Sequence, residues 1–175
     1  MPADHPDAIA LLKADHRKVE DLFAKFESAK AADRRQAIAR QICLELTVHT
    51  RIEEDVFYPA CEGKVDADLL KEAYVEHDGA KLLITEIEAA GPDDFYDAKV
   101  KVLSEMIEHH VKEEEQRVEG LFAQARKAGL DMDALALRMS QEKARLTAEY
   151  AGGDLPTPET TTLKATSLGD AASGT

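Results

Sequence analysis

The apolar positions of this chain recur every three or four residues over long stretches, which is the period of an amphipathic α-helix. The first stretch, from Ile9 to Phe26, alternates steps of three and four residues and carries His16 in the middle of its apolar stripe. Three more stretches of similar length follow, and then a shorter fifth. The pattern predicts an all-α protein built around a core of packed helices.

Capping residues, prolines and glycines predict where the helices begin and end. The expected helices run from residues 4–6 to Ala29, from Asp33 to 59–63, from Asp66 or Asp68 to Gly91, from residues 93–97 to Ala128 with a bend at Gly120, and from Met132 to Tyr150. Short connections make consecutive helices antiparallel neighbours. The predicted fold class is an up-down-up-down four-helix bundle with an additional C-terminal helix.

The expected organisation is one domain over residues 1–150 and a disordered tail over residues 151–175. From Gly152 onward the sequence has no apolar period and is rich in threonine, proline and glycine. Such a segment buries too little apolar surface to offset the entropy of ordering it.

Two histidine–glutamate pairs interrupt the apolar stripes. His49 and Glu53 are four residues apart, and so are His110 and Glu114, which places each pair on one face of its helix. In both helices that face is also the apolar one. A carboxylate turned toward a core costs several kcal/mol unless it is paired, so both glutamates require partners.

A lone histidine precedes each pair at the same distance. His16 lies 33 positions before His49, and His77 lies 33 positions before His110. This is an internal repeat of a helical hairpin. An up-down bundle would bring the four imidazoles and both carboxylates to mid-height of one core. We favour a metal site over a plain bundle with hydrogen-bonded core histidines, because six such groups exceed what hydrogen bonding alone requires.

Imidazole and carboxylate ligands without thiolate suit iron, manganese or zinc. Two glutamates from different helices can each bridge a pair of metals, which favours a dinuclear centre. Two divalent ions carry more charge than two carboxylates offset, so an oxide, hydroxide or exogenous ligand would complete the balance. His109 lies about 100° around the helix from His110 and is not assigned to the centre. His5 precedes the stripe and is given no role.

The charge balance restricts the partners. The net charge is −13, from 35 acidic and 22 basic residues, and argues against binding nucleic acid or an anionic membrane surface. No apolar run is long enough to span a bilayer, and the first residues lack the order of a signal peptide, so we expect a cytoplasmic protein. Cys43 and Cys61 make no disulfide framework and match no thiolate metal motif.

The combined pattern of His16, His49-x-x-x-Glu53, His77 and His110-x-x-x-Glu114 resembles the signature of the hemerythrin-like, or HHE cation-binding, domain family. The resemblance covers about residues 7–125. It implies a four-helix bundle with a non-heme centre of two iron ions held by these six residues. It also implies binding of a small oxidant: O2, peroxide or nitric oxide.

The chain departs from the oxygen-carrying hemerythrins at two places. Those proteins have a second histidine on the third helix, four residues from the first, where this chain has Ala73 and Lys81. On the fourth helix they have His-x-x-x-x-Asp in place of His-x-x-x-Glu. One iron would therefore lack an imidazole. Tyr74, one turn before His77, or solvent is expected to occupy the gap, and an ordinary core aromatic is the alternative for Tyr74.

Three functions are compatible with these residues. The first is a di-iron protein that binds or senses small oxidants without turnover. The second is a di-iron redox enzyme, acting by peroxide disproportionation or nitric oxide reduction, because a missing imidazole eases ligand exchange. The third is iron storage or buffering, for which one small site offers little capacity. The first is ranked ahead, and whether the protein turns over a substrate is left open.

Overall fold

The computed structural model describes residues 6–164, which form helices and connecting segments without a β-strand in that range. The α-helices are α1 (Ala8–Ser28), α2 (Ala32–Ile52), α3 (Tyr58–Cys61), α4 (Ala67–Ala90), α5 (Tyr96–Glu115), α6 (Leu121–Lys127) and α7 (Met132–Tyr150). A π-helical turn, Glu53–Phe57, joins α2 to α3 without interruption. The predicted all-α class and the additional C-terminal helix are confirmed.

Aspartate side chains begin three of the helices. Asp7, Asp66 and Asp131 each accept hydrogen bonds from backbone N–H groups in the first turns of α1, α4 and α7. Such caps satisfy donors that the helix itself leaves unpaired. The predicted cap at Asp33 is wrong, because α2 begins after Ala31 and has no side-chain cap. Asp33 lies in the first turn, where its charge still suits the positive end of the helix.

The four long helices α1, α2, α4 and α5 surround a core that is split by a polar layer at mid-height. One buried apolar cluster contains Leu12, Ile52 and Leu121, together with residues of α7. The other contains Val19 and Leu103 and fills the opposite half of the bundle. Each buried side chain of this size contributes about 1.5–3 kcal/mol of transfer free energy. Apolar packing on both sides therefore stabilises the position of the polar layer.

The expectation that one helix continues to Ala128 is wrong. Helix α5 ends at Glu115, residues 116–120 are not helical, and α6 begins at Leu121. Gly120 marks the break, because a Cβ atom there would lie 2.5 Å from the backbone oxygen of Gln116. The chain turns back on itself at a point that leaves no room for a side chain.

Residues 152–164 have no helix or strand. Although the tail was predicted to be disordered, residues 161–163 lie against α4 and hydrogen-bond Asp78, because its buried carboxylate accepts from their backbone N–H groups. Residues 1–5 and 165–175 lie outside the described part of the chain, and with them His5 and the end of the predicted disordered tail. Within residues 6–164, none of the helices combines the length and the apolar character needed to cross a membrane.

Candidate metal centre

The polar layer contains the four predicted histidines, one from each long helix. His16 lies on α1, His49 on α2, His77 on α4 and His110 on α5, and all four are buried. The Nε2 atoms of His16 and His49 are 3.1 Å apart, and those of His77 and His110 are 3.2 Å apart. The imidazoles therefore converge in two pairs with the same ring nitrogen turned inward.

The two predicted glutamates each span both histidine pairs. Oε2 of Glu53 lies 3.2 Å from Nε2 of His49 and 3.2 Å from Nε2 of His77. Oε2 of Glu114 lies 3.4 Å from Nε2 of His16 and 3.5 Å from Nε2 of His110. Each carboxylate therefore lies between the two imidazole pairs. The structure thus brings all six predicted ligands together.

The donor atoms fall into two groups that share one carboxylate. One group is His16, His49, Glu53 and Glu114, and the other is Glu53, His77 and His110; within each, the ligand atoms lie within 4.8 Å of one another. Glu53 Oε1 and Glu114 Oε2 are buried and have no hydrogen-bond partner among residues 6–164. Buried carboxylate oxygens without a donor fit a cation, and the donor set suits a borderline divalent metal.

A second layer of carboxylates surrounds the histidines, which was not predicted from the sequence. The outer nitrogen, Nδ1, of three of the rings donates a hydrogen bond to a carboxylate, and that of His49 lies 3.6 Å from one, at ion-pair distance. The four contacts are His16 with Glu115 at 2.8 Å, His49 with Asp15, His77 with Glu54 at 3.0 Å, and His110 with Glu76 at 2.7 Å. A carboxylate at Nδ1 fixes the ring so that Nε2 faces the metal.

These outer carboxylates follow a rule that the sequence does contain. Each is adjacent in sequence to one ligand but contacts the ligand on a neighbouring helix, as Asp15 next to His16 contacts His49. The contacts run from α1 to α2, from the π turn to α4, from α4 to α5 and from α5 back to α1. They also repeat with an offset of 61 positions, as Asp15 corresponds to Glu76 and Glu54 to Glu115. The acidic residues next to the ligands in sequence are therefore the signal from which the outer carboxylates could have been predicted.

Tyr58 is a site residue that the sequence analysis missed. Its hydroxyl donates a hydrogen bond to Oε1 of Glu114 at 2.9 Å and lies 3.1 Å from Nε2 of His77. In a regular α-helix Tyr58 would lie about 140° around the axis from Glu53. The π turn brings it onto the same face, since the Tyr58 N–H bonds the carbonyl of Glu53 five residues earlier. Pro59, which lacks an N–H donor, was the sequence signal for an irregular turn.

Tyr74 lies behind Tyr58 rather than beside the histidines. The edge of one ring meets the face of the other, with centroids 5.2 Å apart. Ala73 is buried in the apolar cluster, and Lys81 is buried against Glu54. Thus the phenol that the structure places at the centre is that of Tyr58.

His109 lies outside the centre, on the surface of α5. Its Nε2 is 3.4 Å from Glu76 and 3.3 Å from Glu113, and 63% of its side chain is exposed. This agrees with the choice of His110 as the inward histidine.

The charges of the polar layer compensate one another. Although burial opposes the imidazolium, the carboxylates of Glu53 and Asp15 raise the pKa of His49 to about 10. Hydrogen bonds with Glu53 and Glu54 likewise outweigh burial and raise the pKa of His77 to about 9. These imidazoles hold the pKa of Glu53 well below its usual range, against the effect of burial. A bound cation would replace the protons that pair these groups.

The phenol of Tyr58 is kept protonated by its surroundings. Burial and the charges of Glu114 and Glu53 raise the pKa of Tyr58 well above its usual value. In the metal-free protein it is therefore a hydrogen-bond donor directed at the carboxylate layer.

A cavity of about 10 Å³ lies beside the four imidazoles. Its remaining walls include Val19, Leu46, Ile107 and Val111. This space is close to the minimum that one water molecule occupies. The space beside the imidazoles therefore holds no more than about one water-sized molecule.

The family assignment follows from these residues. Residues 7–122 match the model described as Hemerythrin HHE cation binding domain, which is more than half of the chain. The chain belongs to the hemerythrin HHE cation-binding family, and the two ligand groups agree with the metal binding that this family name denotes.

The chain is also similar to one characterised protein in sequence and to one solved structure in fold. A DNA nickase of Nostoc sp. (strain PCC 7120 / SAG 25.82 / UTEX 2576) is 31% identical over 118 residues, which is 66% of this chain and 32% of that protein. The chain thus spans about a third of the length of that relative. The crystal structure of a hemerythrin HHE cation binding domain-containing protein, the Rv2633c homolog from Mycobacterium kansasii, aligns with a TM-score of 0.68 and 22% identity. The alignment covers 82% of this chain and 88% of that one, and it shows that the two have the same fold.

Proposed function

We propose that the protein is a non-heme di-iron protein that binds small oxidants, namely O2, peroxide or nitric oxide. The observation that supports it most is the carboxylate of Glu53 at 3.2 Å from an imidazole of each pair, with Glu114 in the equivalent place. Two carboxylates that span two pairs of histidines suit two cations. His16, His49, His77 and His110 would be the nitrogen ligands.

The role of iron in this proposal is to exchange electrons with the bound oxidant. The chain itself supplies a ligand frame, since a carboxylate hydrogen-bonds Nδ1 of three ligand histidines and another lies 3.6 Å from Nδ1 of His49. It also supplies a small apolar cavity that limits the size of the ligand. An apolar wall strengthens the electrostatic interactions inside, because it excludes bulk water.

A redox enzyme acting on peroxide is the second candidate, and Tyr58 is the observation that favours it. Its hydroxyl donates a hydrogen bond to Glu114 at 2.9 Å in a buried layer. A hydrogen-bond donor held in place beside the reacting atoms stabilises the negative charge that develops on oxygen when an O–O bond is cleaved. Nitric oxide reduction and iron storage are further alternatives that no particular contact favours.

We also infer that DNA is not a partner of this chain. The name DNA nickase describes a protein of which the matched region is about a third. A net charge of −13 opposes approach to a phosphate backbone.

The proposal is tested by the iron content and spectrum of protein purified from cells grown with iron. We expect two irons per chain and near-ultraviolet charge-transfer bands that change on addition of peroxide. His49→Ala should lose iron, whereas the matched surface variant His109→Ala should retain it. Equal iron in both variants, or wild-type protein without iron, would contradict the proposal. Gas evolution from peroxide would favour the enzyme, and a stable oxygen adduct would favour the binding protein.

A further inference from the structure

Lys81 is a buried lysine whose ammonium contacts the outer carboxylate of the metal centre. Only 5% of the residue is exposed. Its Nζ lies 2.8 Å from both oxygens of Glu54, and Glu54 Oε1 lies 3.0 Å from Nδ1 of His77. A buried ammonium is costly unless it is paired. Lys81 therefore pairs with the one carboxylate, Glu54, that contacts the ligand His77.

The remaining contacts of Lys81 come from its own helix and from the C-terminal segment. Its Nζ lies 3.3 Å from Asp78 and donates to the carbonyl of Glu159 at 3.1 Å. An ammonium has three protons, and these partners together with Glu54 use all of them. Lys81 is thus held at a fixed position on α4.

Residues 159–163, called the strap here, are attached to α4 through Asp78. The Asp78 carboxylate, which is fully buried, accepts hydrogen bonds from the backbone N–H groups of Thr161, Thr162 and Leu163 and from the Thr162 hydroxyl. Hydrogen bonds to a charged carboxylate are stronger than those between neutral groups, so these four contacts attach the strap firmly to α4.

The strap also closes one side of a polar cavity next to the centre. The cavity has a volume of about 470 Å³ and is lined by Glu54 and Lys81 on one side and by residues 156–161 on the other. With the strap in place, the side chains of Glu54 and Lys81 are 12% and 6% exposed. Without the strap, the contact of Lys81 with Glu159 would be lost and more water would reach both groups, so the interaction between them would be screened more strongly.

The other half of the internal repeat provides a natural comparison. There the outer carboxylate Glu115 contacts His16, and its cation is Arg17 at 2.7 Å. Arg17 also pairs with Glu20 three residues on, just as Lys81 pairs with Asp78 three residues before it. The side chain of Arg17 is 57% exposed, whereas that of Lys81 is 6% exposed. The ion pair between an outer carboxylate and its cation is thus exposed at Glu115 and Arg17, whereas it is covered by the strap at Glu54 and Lys81.

We propose that Lys81 is a positioning residue of the metal centre, which holds Glu54 against His77 and is itself held by the strap. This rests on the proposed dinuclear centre. The consequence is that the two metal positions differ. The ligand group of His77 and His110 contains one carboxylate, whereas that of His16 and His49 contains two. The ion at His77 and His110 is nevertheless retained longer, because the cation at its outer carboxylate is buried and therefore less screened than the exposed Arg17.

The experiment measures the release of Fe²⁺ from full-length, iron-loaded protein to a chromogenic chelator without oxygen. Wild-type protein should release iron in a fast and a slow phase of equal size. Lys81→Met should accelerate the slow phase by roughly 10-fold or more, since outer-shell partners are worth about 10–100-fold in metal affinity. Lys81→Arg, which keeps the charge, should restore most of the slow phase. Arg17→Met is the matched control and should change either rate less than about 3-fold, as for an exposed pair.

A second variant tests the strap without touching the lysine. Asp78→Asn removes an acceptor for the strap, so the backbone amides of Thr161–Leu163 should exchange hydrogen faster and the slow iron phase should accelerate. Faster amide exchange with an unchanged slow phase would overturn the role of the strap. Equal release rates in wild type, Lys81→Met and Arg17→Met would overturn the role of Lys81. Wild-type protein that takes up fewer than two irons would instead contradict the proposed function.

Discussion

The hydroxyl of Tyr58 donates a hydrogen bond to Glu114 at 2.9 Å, although the two residues are 56 positions apart and lie on different helices. The bond joins the end of the π turn to the last turn of α5. It breaks the internal repeat, because the position equivalent to Tyr58 is Glu119, in the non-helical segment after α5. The two halves of the centre therefore differ in one phenol.

Tyr58→Phe should alter the centre, whereas Tyr74→Phe should not. Loss of the hydroxyl leaves a buried oxygen of Glu114 without its donor, which costs about 1–3 kcal/mol in the metal-free protein. In the iron-loaded protein, any phenolate-to-iron absorption should vanish in Tyr58→Phe and persist in Tyr74→Phe. The measurements are urea unfolding and the visible spectrum. If Tyr74→Phe alone changes the spectrum, the assignment of the phenol is wrong.

Glu53→Gln should reduce metal binding more than the surface change Glu113→Gln. Glu53 belongs to both ligand groups, so its neutralisation weakens both positions. We expect the content to fall from two ions to one or fewer per chain. Glu113 lies near the exposed His109 and should leave the content unchanged. Metal analysis after gel filtration is the measurement, and equal contents would refute the bridging position of Glu53.

Removal of the metal should destabilise the bundle. The apo core retains two buried carboxylates with orphaned oxygens, and the ligand stabilises the folded state by mass action. At metal concentrations about 100 times Kd the gain is about 2.7 kcal/mol, or roughly 5–10 °C in melting temperature for a chain of this size. Calorimetry of loaded and chelated protein measures it. Identical melting temperatures would exclude a coupled metal site.

The metal-free protein should lose stability as the pH rises above neutrality. The pKa of His49 is raised from 6.5 to about 10 and that of His77 to about 9. When the pKa of a group is raised in the folded state, the resulting stabilisation is complete below the unfolded pKa of 6.5. It is lost as the pH rises through the folded-state pKa. Denaturant midpoints of apo protein should therefore fall from about pH 6.5 to about pH 10. A flat profile over this range would show that these imidazoles are neutral.

Gly120→Ala should destabilise the fold near the centre. A Cβ atom at Gly120 would approach backbone atoms of Gln116 and Glu114 to 2.5–2.7 Å, and backbone cannot move aside as a flexible side chain does. We expect a loss of about 1–3 kcal/mol, as for overpacked sites. Gly152→Ala, with nothing within 4 Å, is the control and should change stability by less than about 0.5 kcal/mol. Similar urea midpoints for the two variants would contradict this.

The sequence predicted those features that depend on helical period. The placement of His16, His49, His77 and His110 in one layer follows from the spacing of apolar residues, and so do the ends of α7. Features that depart from the period were not predictable in this way. Tyr58 reaches the centre through a π turn, and the break after Glu115 depends on a backbone contact of Gly120. The outer carboxylates depend on which helices are neighbours, which a one-dimensional pattern does not contain.

The ring of outer carboxylates has a consequence for the topology of the bundle. Four helices with inward histidines can be arranged clockwise or anticlockwise, and either arrangement would bring the imidazoles to one layer. In the observed arrangement each acidic residue contacts the ligand of one particular adjacent helix, and the contacts close in a circle from α1 through α2, α4 and α5. The mirror arrangement would direct these four carboxylates away from the histidines that they contact here. The ring thus selects the handedness of the bundle, and disfavours the competing fold before any metal is bound.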